Sequence, residues 1–390
     1  MFSKLSFIII LPLPVINLAR NDIMKNEMAK LPLLFSVIFF HVCFVEPHSP
    51  VIFGFGDSLI DTGNNNVLLT AVKADYLPYG IDYVVDIFGF NISGIPTGRF
   101  TDRFNLIDLL AKYANLPSPP PYLSLDGLFG DTGANFASGS CGMLNVTGAE
   151  FGDCSNFDQQ VKNFEDKRDI MVLSFQNLSD FENYLSKCLC VVVVGNNDYM
   201  TNYFSNFFMY DQFKAYNCTQ YAEILAGAMT ENLERLYYLG CRRYVITNIA
   251  AVGCTPYERD QSGIPANKCN ETQNSCIAIY NSMLKHQVIR NMKSFFPGFN
   301  AILMDLWTPV RDCARHPSAC GFKTSSVPCC GIFLNGTCTL LDLPCPNRSA
   351  NMFFDGVHPT ESMYDIFVKA CFNETDPSPC DRPIGTIIYK

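Results

Sequence analysis

Residues 51–66 read VIFGFGDSLIDTGNNN: an apolar run, then Gly56-Asp57-Ser58, then a loop crowded with asparagine. A strand end that presents a hydroxyl can present a nucleophile. Serine attacks only when a base takes its proton and a third group orients that base. Beyond the N-terminal apolar segments the chain offers four histidines, His48, His286, His316 and His358. His286 lies between Leu284 and Val288, away from the apolar face of its helix; His316 sits in a cysteine-rich loop; His48 borders the leader. That leaves His358, in FFDGVHPTE at 353–361, with Asp355 three residues before it. Asp-x-x-His within one turn lets the carboxylate reach back to the imidazole, fix its tautomer and stabilise the imidazolium.

The chemistry these three residues could do is acyl transfer, and that needs donors for an oxyanion. NFASGSCG at 135–142 offers the Gly139 N–H, GNND at 195–198 offers the Asn197 side-chain amide, and Ser58 offers its own N–H. Each such donor is typically worth about 100- to 1000-fold in rate. Taken singly, a Gly-Asp-Ser turn, an Asp-x-x-His and a Gly-Asn-Asn-Asp are ordinary loops. Their weight comes from occurring together, each beside an expected strand end or loop.

The elements that must hold them follow from periodicity. Short β-branched runs alternate with amphipathic helical patterns, which predicts an α/β fold with a mainly parallel sheet covered by helices. VIFGF (51–55), CVVVV (190–194), RYVIT (243–247) and AILMD (301–305) are the expected strands. Between 270 and 296, Ile277, Tyr280, Leu284, Val288, Met292 and Phe295 recur at the spacing of one helical face. YAEILAGAMTENLERLYYLG (221–240) is a second such helix, ending at Gly240. Ligands of open α/β sheets bind outside the carboxyl ends of the strands, where the loops carrying Ser58 and Asn197 would meet. No linker separates 50 from 370, so 47–390 is expected to be one domain behind a leader at 1–46.

Composition narrows the class. The 390 residues are 48% hydrophobic and 17% charged with a net charge of -9, and no basic cluster suggests nucleic acid as a partner. No metal-ligand spacing appears, and no cofactor is expected. The single Trp307 and the 32 phenylalanines are read as core. Two apolar stretches, 6–17 and 31–45, are too short to span a bilayer, which takes roughly 20 residues. The second follows Lys25 and Lys30 and reads as a secretory signal, so no stable membrane insertion is expected once it is removed. Eight N-x-[ST] sequons, at Asn91, Asn145, Asn177, Asn217, Asn270, Asn335, Asn347 and Asn373, agree with an extracellular destination. So do 18 cysteines. Loss of Cys43 with the leader leaves 17 and therefore one unpaired thiol, for which Cys190 in its apolar run is the candidate. The cluster from Cys313 to Cys345 lacks C-x-x-C knuckles and is expected to form disulfides.

From Val51 to Phe372 the chain resembles the GDSL-type lipases and esterases of the SGNH hydrolase superfamily, above all their plant branch. The resemblance rests on FGDSLIDTGNNN, GANFASGSCGML, GNNDY and FFDGVHPTE, and on PYGIDY, PTGRFTD, LGCRRYVITNIAAVGCTP, CCG and CPNR between them. It implies a flavodoxin-like three-layer α/β/α fold and a metal-free hydrolase of lipid or other acyl esters. In that reading Ser58 attacks, His358 shuttles the proton, Asp355 supports His358, and Ser58, Gly139 and Asn197 hold the oxyanion. No G-x-S-x-G elbow is present, so Ser138 and Ser140 are loop residues. The segment VVDIFGFNISGI after PYGIDY is longer and more apolar than the family pattern, and is expected at the pocket mouth. An acyltransferase using the same acyl-enzyme, or a non-catalytic glycan- or lipid-binding protein, are the competing readings.

Overall fold

Alternate residues of each central strand feed two different hydrophobic cores, the mark of a sheet covered on both faces. The computed structural model describes residues 49–87, 89–124, 133–205, 208–331, 336–340 and 342–389. The expected leader lies outside them. Five parallel strands form the main sheet: β1 (Ile52–Gly56), β4 (Ala134–Asn135), β5 (Leu189–Val193), β6 (Arg243–Thr247) and β7 (Asn300–Met304), in the order β4-β1-β5-β6-β7. β2 (Val84–Ile87) and β3 (Phe90–Ser93) form a separate antiparallel hairpin. Phe53, Phe55, Cys190, Val192, Tyr244 and Ile246 enter one core; Ile52, Leu189, Val191, Val193 and Val245 enter the other.

Helices α1 (Leu106–Ala114), α2 (Phe157–Met171), α3 (Leu178–Leu185), α4 (Cys218–Tyr238), α5 (Glu271–Met283), α6 (Ile289–Phe295), α7 (Trp307–Arg315) and α8 (Glu361–Cys371) supply the outer layers. α2 to α6 pack on the first core, and α1, α7 and α8 on the second. α4 starts earlier than its apolar pattern because Asn217 caps it reciprocally with Gln220. The expected long helix over 270–296 is interrupted by a π-helical turn at Leu284–Val288, which keeps Leu284 and Val288 on the core face. Ser49–Lys390 forms one compact unit, and none of its described helices is long and apolar enough to cross a membrane.

In order of appearance the parallel strands run 2-1-3-4-5, the flavodoxin-type order, whose switch point lies between β1 and β5. The chain leaves β1 toward one side and β5 toward the other, opening a crevice at their carboxyl ends. Gly56 ends β1 there because a Cβ would run into the Val193 carbonyl of β5. The apolar insertion behaves differently from expectation. It forms the β2–β3 hairpin, whose Phe90 and Ile92 are exposed, and none of its described residues lines the site cavity.

Among the described residues eight disulfides join Cys141–Cys154, Cys190–Cys241, Cys218–Cys276, Cys254–Cys269, Cys313–Cys320, Cys329–Cys345, Cys330–Cys338 and Cys371–Cys380. The free thiol among the described residues is Cys188, not Cys190. Cys190 points into the core beside Cys241 at the start of the next strand. Cys188 stays buried, and burial pushes its thiol up to about 11.

Candidate active site

Block by block, loops from distant parts of the chain are tied together around Ser58. Asp57 N–H continues the β1–β5 ladder onto Val193 O at 3.0 Å, which aims the following residue into the crevice. Asp57 Oδ1 accepts from Leu59 N–H (3.0 Å), and Oδ2 accepts from Asn196 Nδ2 (3.2 Å). Asn196 Oδ1 in turn accepts from Ala250 N–H (3.1 Å), so the ends of β1, β5 and β6 share one polar chain.

The asparagine-rich loop after Ser58 fastens the 135–142 segment. Asn64 Nδ2 donates to Asn135 O and Ala137 O, at 2.8 and 2.7 Å. Asn65 Oδ1 accepts from Ser138 Oγ and from Gly139 N–H, at 2.6 and 3.0 Å. Asp61 accepts from the N–H groups of Gly63, Asn64, Asn65 and Gly139. From the other side Asp198 accepts from Met143 N–H, Leu144 N–H and the Thr147 hydroxyl, and Asn197 Nδ2 donates to Cys141 O at 2.9 Å. Cys141–Cys154 closes the same loop. Of the residues expected to line an oxyanion site, Ser58 and Asn197 border the cavity. The Gly139 N–H is directed at Asn65 and Asp61, and the next residue, Ser140, borders the cavity in its place.

His358 Nε2 lies 2.8 Å from Ser58 Oγ, and His358 Nδ1 lies 2.7 Å from Asp355 Oδ2. A carboxylate only accepts, so Nδ1 carries the proton and Nε2 is left to accept from the serine. Asp355 Oδ1 accepts from Val357 N–H (2.9 Å) and His358 N–H (2.6 Å), an Asx-type turn that sets the imidazole's reach. The Phe100 ring tilts over the imidazole at 5.0 Å. His286 and His316 are exposed, and neither borders the cavity at Ser58.

A cavity of 380 Å³ opens on Ser58 and His358. That lies within the usual range for small-molecule sites. Ser140, Asn196 and Asn197 give it a polar edge, and Leu59, Phe151, Met200, Phe353 and Phe367 an apolar wall. Among the described residues no group of three or more His, Cys, Asp or Glu is placed to hold a metal ion.

Several contributors carried no role in the sequence reading. Arg99 grips Asp108 through two hydrogen bonds of 2.6 and 2.8 Å, which seats PTGRF on α1 and with it Phe100. Gln160 is wholly buried: its Oε1 accepts from Gly56 N–H (2.7 Å) and its Nε2 donates to Gly56 O (2.8 Å) and Ser155 O (2.7 Å). β4 stops pairing at Gly54, and beyond it Ser138 N–H still donates to Gly56 O at 3.1 Å, so the Gln160 amide supplies the partner of the Gly56 N–H where the Gly-Asp-Ser turn begins. A signal existed, since Gln160 is the polar residue on the apolar stripe Phe157, Val161, Phe164. Gln160→Leu should cost about 1–3 kcal/mol by leaving the Gly56 N–H unpaired. Urea unfolding measures it; a change below about 0.5 kcal/mol, the size of a neutral surface substitution, would remove this role.

Burial pushes Asp57, Asp61 and Asp198 each up to about 6, against the hydrogen bonds they accept. Their folded-state values exceed the unfolded one near 3.8, so the folded chain holds the extra protons between about pH 4 and 6. The stability they contribute is present below that window and lost as pH rises through it. Thermal unfolding should show a higher midpoint at pH 5 than at pH 7.5, and the reverse order would contradict this assignment.

At the switch point of this helix-covered parallel sheet a serine, a histidine and an aspartate stand in hydrogen-bonded sequence. The GDSL-like Lipase/Acylhydrolase family model matches residues 52–371, and the chain belongs to that family of ester hydrolases. Similar proteins include three GDSL esterase/lipases of Arabidopsis thaliana. One is 35% identical over 331 residues, covering 83% of this chain and 87% of the relative. A second is 34% identical, covering 83% and 84%; GDSL esterase/lipase 7 is 33% identical, covering 85% and 89%.

Proposed function

We propose that the chain is a secreted serine ester hydrolase acting on lipid or other acyl esters through an acyl-enzyme on Ser58. The observation that carries this reading is the continuous Ser58–His358–Asp355 hydrogen-bond sequence facing a cavity with an apolar wall. Ser58 Oγ attacks the ester carbonyl as His358 Nε2 takes its proton. The imidazolium then returns that proton to the leaving alcohol, and Asp355 stabilises its charge. Water repeats the sequence on the acyl-enzyme and releases the acid. Negative charge on the carbonyl oxygen is met by the Ser58 N–H and by the second Nδ2 hydrogen of Asn197, whose first is held by Cys141 O. Gly139 joins them when its N–H turns from Asn65 and Asp61; at rest it fixes the loop that brings Ser140 to the cavity.

Secretion is supported by the eight disulfides. Sequons support it too: Asn91, Asn145, Asn177, Asn217, Asn347 and Asn373 are exposed, Asn270 is half-buried, and Asn335 lies outside the described residues. In this reading 1–46 is the leader and 47–390 the hydrolase domain. The test is turnover of short- and medium-chain p-nitrophenyl esters by the mature chain, with product analysis in the presence of an added alcohol. Free acid as the main product supports hydrolysis, and acyl transferred to the alcohol would replace it with an acyltransferase.

A further inference from the structure

The aspartate of the site has a fourth partner that the established family activity does not account for. Tyr79, in the segment PYGIDY, is wholly buried and its hydroxyl lies 2.7 Å from Asp355 Oδ2, the same oxygen that receives His358 Nδ1–H. A tyrosine hydroxyl can donate or accept, and its proton is ordinarily free to rotate. Here rotation is blocked, because Cys338 N–H donates to the Tyr79 oxygen at 3.1 Å. An N–H cannot accept, so the tyrosine proton is sent to Asp355. Cys338 is itself fixed by its disulfide to Cys330 and by Tyr76, whose hydroxyl donates to Cys338 O at 2.7 Å. Cys330 N–H donates to Phe354 O at 2.9 Å, next to Asp355. The rings of Phe100 and Phe354 pack on Tyr79 at 5.8 and 5.7 Å, and Phe100 also covers His358.

We infer that Tyr79 is a positioning residue for the hydrolysis, holding Asp355 oriented toward His358 through a proton whose direction is set by the Cys338 N–H. This rests on the reading of Ser58, His358 and Asp355 as the catalytic group. With Tyr79 present, all four acceptor sites of the carboxylate are filled: Val357 and His358 N–H on Oδ1, His358 Nδ1–H and the Tyr79 hydroxyl on Oδ2. The carboxylate has no freedom to rotate away from the imidazole, and needs no water to complete its shell. Through Tyr79 the Cys338 N–H thereby bears on the orientation of Asp355 without itself touching the carboxylate or the imidazole.

Tyr79→Phe keeps the ring and its packing and removes only the hydroxyl. The expected result is a roughly 10- to 100-fold lower kcat, the range for one hydrogen bond to a charged group, with KM unchanged. The His358 Nδ1 proton resonance should move in the Tyr79→Phe protein and stay in place in Tyr113→Phe, which loses a hydroxyl bonded to Asp365 rather than to Asp355. Unchanged kcat, or a loss shared equally by Tyr113→Phe with no movement of the resonance, overturns the inference. If Tyr79→Phe does not fold, 3-fluorotyrosine placed at 79 keeps the hydroxyl but changes its acidity; an unaltered kcat and resonance there overturn it equally. Ser58→Ala, assayed in parallel, separates the two levels: activity surviving that change defeats the underlying catalytic reading, whereas its loss leaves the Tyr79 result to stand or fall alone.

Discussion

Ser58→Ala should lose roughly 10⁵- to 10⁶-fold in kcat on p-nitrophenyl esters, with the folded state intact, because among the described residues no other hydroxyl is hydrogen-bonded to His358 Nε2. Ser138, the other serine hydroxyl anchored in these loops, donates to Asn65 and is buried behind the cavity edge. Ser140 borders the cavity, but no hydrogen bond joins its Oγ to the imidazole. A fluorophosphonate probe should label the parent on the peptide containing Ser58 and leave the variant unlabelled. Turnover surviving at the parent's rate, or labelling that persists on Ser138 or Ser140, would assign the nucleophile elsewhere.

Asp355→Asn should cost about 10⁴-fold in kcat while preserving the fold, and the hydrogen bonds show why. Two of the four donors facing this side chain, Val357 N–H and His358 N–H, belong to the backbone and cannot reverse. The asparagine oxygen must therefore take the Oδ1 position, which puts its NH₂ where Oδ2 stood. That group now points a hydrogen at His358 Nδ1, so the imidazole keeps its proton on Nε2 and can no longer accept from Ser58. The tyrosine hydroxyl meets a second donor as well. Steady-state kinetics on the same esters, with circular dichroism to establish folding, measures the effect. A loss of less than about ten-fold would mean that the imidazole does not depend on this carboxylate for its tautomer.

Both variants probe residues that could be picked from the chain unaided, because local chemistry identifies them. Asp355 and His358 lie within one turn, and the turn itself is made by the aspartate accepting backbone N–H groups two and three residues on. Ser58 follows a strand whose apolar run is unmistakable. The strands were legible for the same reason: period-two burial on both faces demands continuous apolar runs, and each expected strand lies within one residue of the observed one. The two-residue β4 carries no such run. It is a strand only because Phe53 and Gly54 lie beside it.

Cysteine pairing shows where local reading ends. Cys188 and Cys190 are two residues apart and pack into the same core as Cys241, yet only Cys190, on the strand, comes within bonding distance of Cys241. The hairpin insertion is a similar case. Its length and hydrophobicity were visible, but its distance from the cavity is a matter of how the chain turns after Tyr83.

What the sequence alone determined is the sheet's face pattern, the Gly-Asp-Ser turn and the Asp-x-x-His unit, since each is written within a few residues and obeys local periodicity or turn chemistry. Only the tertiary structure decided which buried polar groups satisfy one another across the chain. Gln160 reaches Gly56 over 104 positions, Asn65 reaches Gly139 over 74, and Tyr79 reaches Asp355 over 276. Buried donors and acceptors must be paired, but any suitable partner at the right distance will do, and that distance exists only once the layers have packed.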